Sequence, residues 1–424
     1  MRGTVPRLCA KAGPPATGGL AAPGRDFLRE LSARRNPGSY AGGLWRVYGA
    51  CLLLTAADGL SSTLAPAYLQ ALGFPYAEIG LLVAVYAVTS FLSRAPAGRL
   101  AESAQAGRWF ALACAVFALA LALYPLATTT PLVLGVRALN GVGFGAAQTL
   151  NFAAFLAIST RAGRARATAL YTASMSLGYA IGNFSSGALA DMLGPGTAFL
   201  IGALAPLGSL AAARTGGPAR VSTSLPAPSV GWRSLLRADV LAVAALAFSV
   251  NGQVLALSTL FPLYALSIGQ SLSVAGVARG LNSLSNALVR PFGGPLINGL
   301  GMVALGCLGV ALMAGASAAL ALTTTPLALF ILFVLGGIGR AGGVLANAMS
   351  AVDLSERRVL NRGAASAVIT GGGDLGSIAG PLVGGLAAAQ LGVGPALSVV
   401  SIGAGVVGLV ALAVGRLSDE RLEA

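Results

Sequence analysis

The sequence contains no histidine. The side chain that most often serves as acid, base or metal ligand near neutral pH is therefore missing. The four cysteines are scattered as Cys9, Cys51, Cys114 and Cys307, with no pair at metal or disulfide spacing. No glycine-rich phosphate loop with a lysine is present, which argues against an ATP-driven pump. No metal and no cofactor is expected, and an enzyme is disfavoured. Charge is scarce as well. Asp, Glu, Lys and Arg make up 9% of 424 residues, against about 25% in soluble domains. So few charges cannot coat a water-facing surface, and lipid must be the solvent for most of the chain.

What is present is apolar length. Hydrophobic residues make up 56% of the chain, the mean hydropathy is +0.80, and 59 glycines suit close helix packing in lipid. Runs of ~20 apolar residues span a bilayer as helices. About twelve are legible: near 46–70, 77–98, 108–127, 131–159, 167–190, 196–214, 240–265, 273–293, 301–322, 326–352, 363–388 and 394–415. A β-barrel would show short alternating segments instead, so the expected fold class is all-α and integral to the membrane.

The formal net charge of +14 resembles a nucleic-acid signal, but its placement argues otherwise. Basic residues crowd the segment before the first run, the segment joining the halves, and the loops after the second, fourth, eighth, tenth and twelfth runs; Arg94, Arg99 and Arg108 are read between the second and third. The alternate loops carry none. This is the positive-inside pattern, so a multi-pass protein of the plasma (cell inner) membrane with both termini cytoplasmic is expected. Residues 1–44 read as a disordered basic tail, 45–214 as a first six-helix bundle, 215–237 as a linker, 238–416 as a second bundle and 417–424 as a short tail.

The chain is written twice. Thr128-Thr129-Thr130-Pro131 returns as Thr323-Thr324-Thr325-Pro326, about 195 residues on. Gly80, Arg94 and Gly98 fall on Gly276, Arg290 and Gly294, and Gly178, Gly182 and Gly187 fall on Gly376, Gly380 and Gly385. Parallel halves of this kind place a transport site at their interface.

The motifs agree. The second loop reads Gly98-Arg99-Leu100-Ala101-Glu102, then Gly107-Arg108. The fourth run opens Arg137-Ala138-Leu139-Asn140-Gly141, and the eleventh contains Gly376-Ser377-Ile378-Ala379-Gly380-Pro381. Together with two parallel halves of six helices, residues 45–416 resemble the major facilitator superfamily. Glu102 matches the acidic position of that family's loop motif, with Ser103 where a basic residue is usual. The eleventh-helix run is similar to the family's antiporter signature, which belongs on the fifth helix, where this chain has Asn183 in the proline's place. The resemblance implies peripheral third, sixth, ninth and twelfth helices. Gly98, Glu102, Gly107, Arg108, Gly141, Gly376, Gly380 and Pro381 are expected in gating or helix packing, with Glu102 capping a helix N-terminus.

Function is sought where the two copies differ. An ionisable side chain at mid-membrane costs about 2.5–3.5 kcal/mol on the insertion scale and is a functional candidate by default. Asp58, Arg137, Arg279, Arg340 and Asp374 have no charged partner at the repeat-equivalent position. Depth along the helices allows two pairs, Asp58 with Arg137 and Arg340 with Asp374. Asp58, Arg137 and Asp374 are the expected proton-coupling residues. Arg279, Gln148, Asn151, Asn251, Asn282, Asn286, Arg340 and Asn347, which lie on polar stripes, are expected to bind substrate, with Arg279 foremost. The reading is a monomeric secondary transporter of a small solute, coupled to protons, with efflux favoured over uptake of a polar or anionic solute by symport. A non-transporting receptor or scaffold on the same fold is the rival.

Overall fold

A computed structural model of the chain describes residues 37–159, 164–210, 235–357, 359–360 and 362–423. The described residues form helices joined by short turns, with no strand among them. In lipid, every backbone N–H and C=O must find its partner within the protein, and a helix does this locally. The first half comprises α1 (Pro37–Ala71), α2 (Tyr76–Ala101), α3 (Ala106–Leu123), α4 (Thr130–Ile158), α5 (Arg164–Leu193) and α6 (Pro195–Gly208). The second comprises α7 (Ala238–Ser267), α8 (Leu272–Val289), α9 (Met302–Ala319), α10 (Pro326–Glu356), α11 (Arg362–Leu391) and α12 (Val393–Glu423). A 3-10 turn and the short helix Gly293–Leu300 follow α8.

Eight of these helices are long and apolar enough to cross a membrane. The others are α6, of 14 residues, and α5, α8 and α11, whose polar stripes and glycines lower their hydropathy. Two expected boundaries shift. The first helix starts at Pro37, inside the segment read as a tail, and α12 runs on to Glu423. Most of the expected linker and all of residues 1–36 lie outside the described residues. Arg94 lies within α2 rather than in the loop after it.

The repeat reappears as structure. Gly73 and Gly269 end α1 and α7 with φ of 85° and 76°, and Gly194 and Gly392 end α5 and α11 with φ of 84° and 81°. Only glycine enters this left-handed region without steric cost. Within the halves, α1 packs on α5 as α7 packs on α11, and α2 packs on α4 as α8 packs on α10. The contacts match residue for residue. A Cβ on Gly141 would meet Tyr86 and Thr89, and one on Gly337 would meet their counterparts Asn282 and Ser285. Exposed apolar residues, such as Leu112 on α3, Leu204 on α6, Leu308 on α9 and Val399, Ile402, Val406 and Val410 on α12, give the peripheral helices a lipid-facing surface.

Short turns make neighbouring helices antiparallel, so the chain enters α1 and leaves α12 at one face, here the terminal face. The two closest backbone crossings between the halves lie nearer the opposite face. On α2, Gly80 lies against Pro381 and Gly385 of α11; on α8, Gly276 lies against Asn183 and Gly187 of α5. Added Cβ atoms there would come within 2.4 and 2.5 Å of backbone oxygens, so glycine is what permits the approach. These crossings close the opposite side.

Candidate functional site

A cavity of about 370 Å³ lies between the halves. Every helix at the crossings contributes to its lining from the terminal side: α2 beyond Gly80, α11 before Pro381, α5 before Gly187 and α8 beyond Gly276. The walls carry both signs of charge, as Asp58, Arg94, Arg279, Arg340 and Asp374.

Asp58 of α1 is 6% exposed. Tyr86 of α2 donates its hydroxyl to one carboxyl oxygen at 2.5 Å, and Tyr179 of α5 donates to the other at 3.1 Å. No cation lies within ion-pair distance of Asp58 among the described residues. The expected Asp58–Arg137 pair is replaced by an indirect arrangement. Arg137 is buried away from the cavity, its guanidinium carbon 5.9 Å from the Tyr86 ring centre and 6.0 Å from that of Tyr124. The Tyr86 side chain therefore links the two, taking the cation on its face while its hydroxyl serves the carboxylate.

Arg279 reaches across the interface. It donates from α8 to Thr63 at 2.5 Å and Ser62 at 3.2 Å on α1, and to Ser258 at 2.9 Å on α7. Thr63 donates to Asn183 of α5, which donates back to Ser283 of α8. Charge-assisted bonds to neutral hydroxyls contribute about 1.5–3 kcal/mol each, enough to offset the cost of holding this arginine at depth. The residue expected to lead substrate binding is thus engaged in holding the halves together beside the Gly276 crossing.

Asp374 of α11 pairs with Arg94 of α2 at 2.8 Å, both carboxyl oxygens accepting from one nitrogen. The expected Arg340–Asp374 pair does not form, because at this level α11 packs on α2. The Arg94 side chain is 40% exposed against 13% for Asp374, so solvent reaches the pair. Arg340 of α10 lines the cavity with neither an ion pair nor a hydrogen bond to another of the described residues, and its Nε is buried without a partner.

Other expected residues divide. Asn251 lines the cavity while donating to Ala247 of its own helix. Asn282 lines a small adjoining pocket and donates to the Phe333 carbonyl. Gln148 and Asn151 instead pack inside the first half, near Cys51, Val47 and Tyr171. Asn286 and Asn347 are buried, each with an unpartnered side-chain oxygen, outside the main cavity. Gly376 and Gly380 seat α11 against Phe248 and Gly252 of α7, and Pro381 forms part of a crossing. Glu102 caps the C-terminal end of α2, exposed, rather than a helix N-terminus. Gly98 has nothing within 4 Å of an added Cβ. Gly107 and Arg108 sit in the first turn of α3, away from the cavity. Sequence reasoning missed Tyr86 and Arg94, although Tyr86, Ser90 and Arg94 form a stripe at four-residue spacing on α2.

Known proteins give the same architecture. An inward-facing, unoccupied bacterial homolog of the human lysosomal transporter Spinster, 15% identical, superposes with a TM-score of 0.72 over 90% of this chain and 97% of that one. The nucleoside transporter NupG, 17% identical, gives 0.68 over 88% of this chain and 98% of its own. At these identities the likeness is one of fold. No curated protein sequence matches the chain. The sequence profile of the Major Facilitator Superfamily matches residues 47–327. With that match over most of its length, and two like halves enclosing a polar cavity, the chain belongs to the major facilitator superfamily of membrane transporters.

Proposed function

We propose that this transporter moves a small polar solute by alternating access and couples the movement to protons at Asp58. The observation that carries the reading is the setting of Asp58. It lies on the wall of a cavity lined from the terminal side of the crossings, held by two tyrosine hydroxyls and, among the described residues, by no ion pair. A carboxyl so placed can take or release a proton without breaking an ion pair. Rocking of the halves then alters which cations stand near it, and with them its proton affinity. The glycine crossings supply contacts that such rocking can open and remake.

Efflux in exchange for protons and uptake together with protons use the same cavity. The eleventh-helix glycine run that favours exchange is occupied in packing α11 on α7, so direction is left to the sign of the gradient response. A receptor on this fold would bind solute without accumulating it.

The test begins with a solute-library accumulation screen in cells with and without the protein, repeated with an uncoupler. The solute found is then followed in proteoliposomes under an imposed pH gradient. Asp58→Asn is expected to abolish gradient-driven accumulation and to retain solute exchange at zero gradient. Full accumulation by Asp58→Asn removes Asp58 as the coupling site, and accumulation indifferent to the uncoupler removes proton coupling altogether.

A further inference from the structure

The charges of the cavity are satisfied unevenly. Asp374 is held by Arg94, Asp58 by two tyrosines, and Arg279 by three hydroxyls. Arg340 is the exception. Among the described residues no carboxylate lies within ion-pair distance of it, and its Nε is buried without a hydrogen-bond partner. It borders both the main cavity and the adjoining pocket formed by Asn282, Ser317 and Phe333. Its electrostatic surroundings make matters worse. Arg290, whose Nε is also buried and unpartnered, and Arg279, which lines the same cavity, are like charges acting on it. Arg340 is half-buried, its Nε sealed off and its terminal nitrogens bordering the cavity, and a guanidinium held at this depth without a counterion is an unfavourable arrangement. It is relieved when a ligand brings the missing charge.

We propose that Arg340 is the binding point for an oxyanion, a carboxylate or a phosphate, carried by the transported solute. The planar guanidinium presents two parallel N–H groups that match either oxyanion. A cavity of about 370 Å³ accommodates a small organic anion. Tyr179 ties this point to the proposed proton site, since its hydroxyl donates to Asp58 and it lines the same cavity as Arg340. Anion and carboxyl therefore share one chamber, with Tyr179 bonded to the carboxyl. The inference rests on the transport reading for its biological sense, but the binding site stands or falls separately.

The test uses the full-length protein in detergent and reads saturable thermal stabilisation. The probes are acetate, benzoate, inorganic phosphate and a hexose phosphate. Each is set beside a neutral match (acetamide, benzamide, the free hexose), with ethylamine and benzylamine as cations. At least one oxyanion is expected to stabilise the protein where its neutral match does not. Arg340→Gln is expected to weaken that binding about 10- to 100-fold, the loss of charge-assisted bonds. Arg340→Lys, which keeps the charge and loses the fork, is expected to fall between, and it carries the test should Arg340→Gln fail to fold. Stabilisation by no oxyanion, equal stabilisation by the neutral matches, or unchanged oxyanion affinity in both variants overturns the proposal. In proteoliposomes, a bound oxyanion that is never translocated would leave the site in place and remove the transport reading. A carboxylate that binds when the phosphates do not, or the reverse, identifies which oxyanion the solute carries.

Discussion

Arg94 and Asp374 show how a residue's partner departs from what its position along the chain suggests. Depth placed Arg340 and Asp374 at one level, and the two do face the same cavity, yet the bond goes to Arg94. Depth is a one-dimensional coordinate, whereas pairing depends on which helices meet across the interface. Arg94 was further hidden because its repeat mate is also an arginine, Arg290, so it read as scaffold. Four of the five unmatched charges line the cavity, because a buried charge in lipid needs a polar neighbour. Arg137, the fifth, is accommodated by tyrosine faces. With Arg94 40% exposed, the ion pair contributes only about 0–1 kcal/mol to stability. Asp374→Asn should therefore barely move the unfolding temperature while leaving an uncompensated cation in the cavity and impairing transport. Reversing both charges, Arg94→Asp with Asp374→Arg, should restore more transport than either single change. A reversed pair no better than the singles would show that the bond is not what these residues contribute.

At the level of helices, glycines of identical appearance in the sequence do three different things. Gly376 and Gly380 let helices pack within a half, Gly80 and Gly276 let the halves touch, and Gly98 faces open space. Spacing alone reports that small residues recur, and it does not report what stands opposite. Gly98→Ala should be neutral or should stabilise by about 0.4–1 kcal/mol, since it stiffens the unfolded chain without a clash. Gly80→Leu should leave the first half folded but hold the halves apart at the α2–α11 crossing. Spectroscopic distances between labels on the opposite-face ends of α2 and α11 should lengthen in that variant, and transport should stop. Unchanged distances together with normal transport would mean that the crossing does not bear on the conformational equilibrium.

For the whole molecule, the long membrane-spanning helices and the duplication are legible in the sequence, and the peripheral position of α3, α6, α9 and α12 is what the family resemblance implied. Lipid imposes long apolar runs, and duplication leaves repeated small residues and turns. The state of the transporter was not readable, because a sequence common to every conformation favours no one of them. The arginine pattern makes a separate prediction about orientation. Cysteine introduced at Leu72, 37% exposed in the turn after α1, should react with an impermeant thiol reagent in intact cells. Cysteine at Ser103, between α2 and α3, should react only after permeabilisation. The opposite result would invert the assigned topology.

The two glycine crossings have a mechanical consequence. Each brings backbone against backbone, α2 against α11 and, at the repeat-equivalent place, α8 against α5, and the two together define a line. Rotation about that line is the movement that disturbs these backbone contacts least, as a lid turns on an axle with two bearings. Other relative motions must slide backbone against backbone. Since Asp58 stands on one half and Arg340 on the other, both in the same chamber, the proposed proton and anion sites belong to one moving part each, and such a rotation changes the surroundings of both at once.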